Sequence, residues 1–246
     1  MQSLVQTMRI LMLTQAILFI LLGLSRAEGI ATNNGSALRK IVYEMDIDNL
    51  IDENIERIRE VVSELDPIKL DNVKFPVTSS IYMLLYDGWA QNLAELQRAG
   101  KCKIRYSNKK LDIDLNLGWD NLVFDYQYLI KMLLLKREGD LHGQMTKLNM
   151  HINMRVDFNN YQITLNELDL VENGNISLTL VGHRLDYIYN LAIKAAIRAF
   201  RDSFLNTIRK EIEWMILYRI SKLNIKLNSI IHRSQFTFVD SSKNLP

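Results

Sequence analysis

The stretch HINMRVDFNNYQITLNELDLVENGNISLTLVG, residues 151–182, carries an apolar side chain at nearly every second position. These are Ile152, Met154, Val156 and Phe158, then Tyr161, Ile163 and Leu165, then Leu168 and Leu170, then Ile176, Leu178 and Leu180. A period of two marks strands with one apolar face and one wet face. The apolar face must lie against something, and what it covers decides the fold.

The same pattern runs upstream from about residue 68. In KKLDIDLNLGW, Leu111, Ile113, Leu115 and Leu117 alternate with Asp112, Asp114 and Asn116. Asp87-Gly88, Gly139-Asp140 and Asn173-Gly174 are expected to be turns between strands. QNLAELQRAG, residues 91–100, reads as a short helical insert. Sequential strands joined by short turns make an antiparallel meander, wet on its outer face.

Two segments change period. In EMDIDNLIDENIERIREVVSEL, residues 44–65, Ile47, Leu50, Ile51, Ile55, Ile58, Val61, Val62 and Leu65 recur at steps of three and four. That is one stripe of an amphipathic helix. Its acids crowd the N-terminal half, where the helix dipole favours them, and Asp66-Pro67 stops it. From Tyr187 to about His232 the stripe is Ile188, Leu191, Ala192, Ala195, Ala199, Phe204, Ile208, Ile212, Met215, Ile216, Ile220, Leu223, Leu227 and Ile230, with no Pro or Gly inside. Such a helix would be roughly 60–70 Å long. A compact chain of this size is about 45 Å wide. Either the helix breaks near Asn224 or Asn228, or the sheet wraps along an elongated body. The sheet's apolar face and the helix's apolar stripe need each other. The expected class is therefore α+β: a curved antiparallel sheet around a long C-terminal helix, with an N-terminal amphipathic helix.

The first segment stands apart. ILMLTQAILFILLGL, residues 10–24, is apolar but for Thr14, Gln15 and Gly23, and Ser25-Arg26-Ala27 follows. The run is short for a span of about 20 residues, so residues 1–27 read as a secretory signal peptide. Residues 28–43 read as a flexible leader, 44–232 as a single domain and 233–246 as a tail. Removing Arg9 and Arg26 leaves 28 Lys+Arg against 28 Asp+Glu. A neutral chain argues against nucleic acid as a partner, and no further segment approaches the length of an integral membrane span. The expected location is extracellular.

Cys102 is the one cysteine, so no internal disulfide forms. It sits in KCKIRYS, whose charges would favour a thiolate; an inert strand residue is the plainer reading. Asn34-Gly35-Ser36 and Asn175-Ile176-Ser177 are glycosylation sequons. No nucleophile elbow, phosphate loop, dinucleotide fingerprint or zinc helix is present. His142, His151, His183 and His232 are scattered. No enzyme activity, metal or cofactor is expected.

Several segments, in the same order, resemble the group 7 mite allergens and their arthropod relatives. They are DPIKL (66–70), LAELQRAG (93–100), GDLH (139–142) and ENGNISLTL (172–180, with Asn175 at the glycosylation position), followed by the long helix. The resemblance covers roughly residues 40–225. It implies a fold similar to one half of a bactericidal/permeability-increasing protein, related to juvenile-hormone-binding and takeout proteins, with an apolar cavity between sheet and helix. Two departures matter. The N-terminal cysteine pair usual in hormone-binding and takeout proteins is missing, which weakens the case for juvenile hormone. The chain is also one half-length module, so a two-module tunnel would require a partner or a homodimer.

The expected function is a secreted carrier for an apolar small molecule or lipid, such as a fatty acid, terpenoid or bacterial lipid. Its wall would be Ile152, Met154, Val156, Ile208, Ile212 and Met215, each of which also suits ordinary core. The alternative is an interaction or structural module with a packed interior and no cavity.

Overall fold

The computed structural model describes residues 42–133, 135–181 and 186–241. The signal-peptide reading, Asn34, nearly all of the leader and the last five residues of the tail lie outside them.

In chain order the elements are β1 (Tyr43–Asp46), α1 (Asp48–Val62, continued by a 3-10 turn at Ser63–Leu65), β2 (Ile68–Leu70), β3 (Val73–Thr78), β4 (Ile81–Gln91), a 3-10 turn (Leu93–Glu95) and β5 (Gln97–Arg98). There follow β6 (Lys103–Ser107), β7 (Lys110–Met132), β8 (Leu135–Asp157), β9 (Gln162–Glu172), β10 (Ile176–Val181) and α2 (Asp186–Ser241). The strands form one antiparallel sheet.

A hairpin of two 23-residue strands, β7 and β8, is its spine. β6 pairs with the first half of β7 and β4 with the second half. On the other side, β9 pairs with the second half of β8 and β10 with the first half. Both spine strands step by three at the same level, Trp119 to Leu122 and Met145 to Leu148, with Lys147 at φ 53°. A local irregularity of this kind bends a strand. The buried side chains stay on one face through it.

Two expected turns lie inside strands. At Asp87-Gly88 the β4–β7 register shifts and Asp87 adopts φ 51°, so this is a bulge. The Tyr126 ring lies where a Gly88 side chain would be, 2.1 Å from the position of a Cβ. Gly139-Asp140 lies within β8, and the spine hairpin turns instead after Met132, with Leu133 at φ 39°. A Cβ on Gly139 would stand 2.8 Å from the Tyr128 hydroxyl and 2.3 Å from the Val181 carbonyl oxygen. Gly88 makes room for an aromatic ring, and Gly139 for a backbone carbonyl and a tyrosine hydroxyl, rather than for a reversal of the chain.

Three smaller expectations also change. Residues 43–46 are not helical: they pair as β1 with Tyr106–Lys103, and α1 starts at Asp48, whose N–H is accepted by Asp46 Oδ1 at 2.9 Å. The insert at 91–100 is a single 3-10 turn and a two-residue strand. Tyr161 belongs to a turn, at φ 55° and exposed. The three-residue step from Leu165 to Leu168 is a register shift opposite Asn153 and Met154.

The long helix does not break. α2 runs 56 residues through Asn224 and Asn228 to Ser241, past the expected limit of 232, for a length of about 84 Å. It touches β2 and β3 on one flank of the sheet and β9 and β10 on the other. The sheet is thus a trough and the helix lies along it. Ala192, Ala196, Phe200, Phe204, Ile208 and Ile212 form a buried ladder at steps of four.

The trough between sheet and long helix

Polar ties fix where each part of α2 sits. The Tyr128 and Tyr189 hydroxyls are 3.3 Å apart near its start. Arg201 pairs with Glu172 at 2.6 Å and Arg209 with Asp169 at 3.7 Å. The Thr207 hydroxyl donates to Asp71 on the opposite flank at 3.2 Å. Asn224 bonds the backbone of Ile163. Asp169 stands opposite His151 and Ile163 opposite Val156. The helix segment 209–224 therefore lies along residues 151–156 of β8.

All six expected wall residues belong to the apolar core between sheet and helix, Met154 packed against it rather than sealed within it. Ile152, Met154 and Val156 share the inward face of β8. Ile208, Ile212 and Met215 lie on the buried face of α2, Ile208 one turn beyond Phe204. Five are buried and Met154 is half-buried.

The middle of the trough is solid. Phe124 stacks on Phe200 with centroids 4.4 Å apart and meets Phe204 at 5.2 Å. Tyr126 meets Phe200 edge-on at 5.6 Å. The helical stripe read from the sequence included Ala199 and passed over Phe200, although the step of four from Ala192 to Phe204 was there to be seen. The strand partners were also visible, in the alternation Phe124, Tyr126, Tyr128 with Asp125 and Gln127.

Away from this cluster the packing loosens. Ile113 pairs with Met154, and Met154 with Leu165, in one row across β7, β8 and β9. All three point inward, and all three are only half-buried, as is Leu115. The aromatic cluster by contrast is sealed, with Phe124 and Phe200 both at 0 % exposure. At this row, unlike at the aromatic cluster, the inward side chains keep some access to solvent.

Two surface clefts lie elsewhere. One of about 610 Å³ is lined by Glu56, Arg59, Glu60, Glu95, Gln97 and Asp120. One of about 490 Å³ is lined by Met45, Asp48, Leu50 and Lys101, among others. Neither includes any of the six wall residues, and their many ionic side chains do not suit an apolar ligand.

Cys102 is fully buried, and its thiol is pushed up chiefly by burial. Its sulfur accepts the Asn116 N–H at 3.3 Å. It is a packed residue, not a poised thiolate. His142 is half-exposed and pairs with Asp125 at 2.5 Å; His151 faces Asp114 and Glu167 at 3.6 and 3.9 Å. Among the described residues no three His, Cys, Asp or Glu side chains are grouped to hold a metal ion. No helix among them is long and apolar enough to cross a membrane.

Residues 46–220 match the family model described as Group 7 allergen. The chain belongs to the group 7 allergen family. The match runs from the last residue of β1 into the second half of α2, so it takes in β2–β10 and the long helix as far as Ile220. No curated protein sequence matches the chain. Among solved structures it is similar to Takeout 1 of Epiphyas postvittana, at 12 % identity and TM-score 0.37, over 73 % of this chain and 87 % of that one. It is also similar to lipopolysaccharide binding protein, at 10 % identity and TM-score 0.46, over 70 % of this chain. That match spans 40 % of the other chain's length.

Proposed function

We propose that this group 7 family member is a secreted carrier that holds an apolar ligand at the end of the trough, between β7–β9 and the inward side chains Ile208, Ile212 and Met215 of α2. The observation that carries this reading is the inward row Ile113, Met154 and Leu165, left half-buried while the aromatic cluster further along is sealed. A hydrocarbon chain laid on that row would leave water at about 25 cal/mol per Å² of apolar surface buried. Met150, Met154 and Met215 all belong to this part of the core. Flexible thioethers suit a slot that accepts more than one shape.

The test starts with the chain from residue 28 onward, secreted from insect cells. Native mass spectrometry and solvent extraction would show a co-purifying lipid, and 1-aminoanthracene fluorescence would show saturable uptake. Met154→Trp should fill the slot and abolish uptake without lowering the melting temperature. A wild-type protein that is lipid-free and takes up no probe would sink the carrier reading. The second reading, a packed interaction module, is favoured by the Phe124–Phe200–Phe204 cluster, which already fills the middle of the trough. Secretion also predicts a glycan on Asn175, which is exposed beside β10, seen as a mass loss with an N-glycosidase.

A further inference from the structure

We propose that the outward face of α2 over residues 214–225 docks on the lipid–water interface of a bilayer. Four large apolar side chains lie open there: Trp214 at 62 % exposure, Leu217 at 46 %, Tyr218 at 45 % and Ile225 at 68 %. Steps of three, four and seven put them on one stripe. Ile212, Met215, Ile220 and Leu223 are buried on the other side, so this part of the helix is apolar on two faces, and only one of them is covered.

The four side chains expose on the order of 400 Å², an apolar patch of the size that marks a contact surface. Two observations point to a bilayer rather than a second copy of this chain. The first is chemistry. Trp214 and Tyr218 stack with planes 10° apart and centroids at 5.6 Å, and Lys222 Nζ lies 4.2 Å from the Tyr218 ring centroid. Rings with one apolar body and one polar atom, bordered by lysine, suit the headgroup layer. The second is position. Asn224 holds this stretch over Ile163, one strand from Val156. The stripe therefore runs along the end of the trough where Ile113, Met154 and Leu165 keep solvent access. A use of the surface in exchanging cargo rests on the carrier reading; docking itself does not.

The charges set the kind of docking. Lys210, Lys222 and Lys226 border the stripe, but Glu211 and Glu213 lie on the same turns. Arg209 and Arg219 are engaged by Asp169 and Glu64. The near balance means insertion of apolar side chains drives binding, not attraction to anionic lipid.

The experiment is co-flotation with phosphatidylcholine vesicles in low and high salt, beside 1-aminoanthracene uptake in solution. Wild type should float with the vesicles with little dependence on salt. Trp214→Gln/Tyr218→Gln, both at exposed sites, should float at least about tenfold more weakly, with the same melting temperature and the same probe uptake. In a Trp89→Phe background, Trp214 emission should shift to the blue on adding vesicles, since Trp119 is already buried. Absence of flotation by wild type, or equal flotation by the double variant, overturns the proposal. So does a dimer in analytical ultracentrifugation that the same two substitutions dissolve. Loss of probe uptake by wild type with flotation intact would instead overturn the carrier reading alone.

Discussion

The side-chain amide of Asn224, in α2, closes two hydrogen bonds on the backbone of Ile163 in β9: Oδ1 accepts its N–H at 2.8 Å and Nδ2 donates to its carbonyl at 2.9 Å. Among the described residues, β9 pairs at this level with β8 alone. One amide therefore does what a neighbouring strand would do, satisfying an edge that would otherwise be open.

Replacing Asn224 by Ala should leave both Ile163 groups unpaired in a partly buried place and cost about 1–3 kcal/mol. Asn224→Asp keeps the acceptor, loses the donor and should fall between. Urea midpoints at constant slope measure the difference. A midpoint unchanged for Ala would show that water takes over both bonds.

Phe200 touches Phe124, Tyr126 and Phe204 and is fully buried. Phe200→Ala should cost about 3–5 kcal/mol, as large-to-small changes in sealed cores do. If the cluster is what divides the trough, the variant should also take up probes in a newly opened middle. Greater uptake by a still-folded Phe200→Ala protein would support that division; lower stability with no added uptake would show that the core collapses instead.

Much of this was legible in the sequence. The period of two in Leu111–Leu117 and Ile152–Val156, and the helical stripe beyond Tyr187, state the partnership of sheet and helix directly. The glycine readings failed for one reason. Asp87-Gly88 and Gly139-Asp140 look like turns because glycine permits reversal, but here glycine is needed because the Tyr126 ring at Gly88, and the Val181 carbonyl with the Tyr128 hydroxyl at Gly139, occupy the space of a side chain. That depends on a cross-strand neighbour, which no local pattern encodes. A break near Asn224 or Asn228 is one of two alternatives the sequence leaves open, and asparagine is a modest helix former. The role of Asn224 as a substitute strand depends on a partner 61 residues away.

Gly143 tests the cross-strand account. It pairs with Phe124, and a Cβ there would stand 2.0 Å from Phe124 Cε2. The ring cannot give way easily, since Phe200 and Phe204 hold its other side. Gly143→Ala should destabilise by about 1–3 kcal/mol, the usual cost of overpacking, although alanine suits a strand better than glycine does. Pairing the change with Phe124→Leu should restore part of the loss. Equal losses with and without the smaller residue would point to the backbone rather than the ring.

The start of α1 predicts an acid limb in the stability curve. Asp48 Oδ1 accepts the Cys102 N–H at 2.7 Å, and its Oδ2 lies 3.1 Å from Lys101 Nζ and 3.3 Å from Arg98 Nη1. The Cys102 bond is the largest cause holding its carboxyl below the ordinary value, with the Lys101 and Arg98 charges adding to it. Asp52 is lowered as well, chiefly by the two 2.8 Å bonds from Arg98. A carboxyl whose folded pKa is depressed binds fewer protons folded than unfolded. Its contribution is therefore fully present above the unfolded value of about 4 and disappears as pH falls through the lower folded value. Asp48→Asn keeps an acceptor for Cys102 but loses the charge. Thermal melts from pH 7 down to pH 2 should show wild type above the variant at neutral pH, with the two curves converging below about pH 4. A gap that stays constant across that range would show that shape, not charge, is what Asp48 contributes.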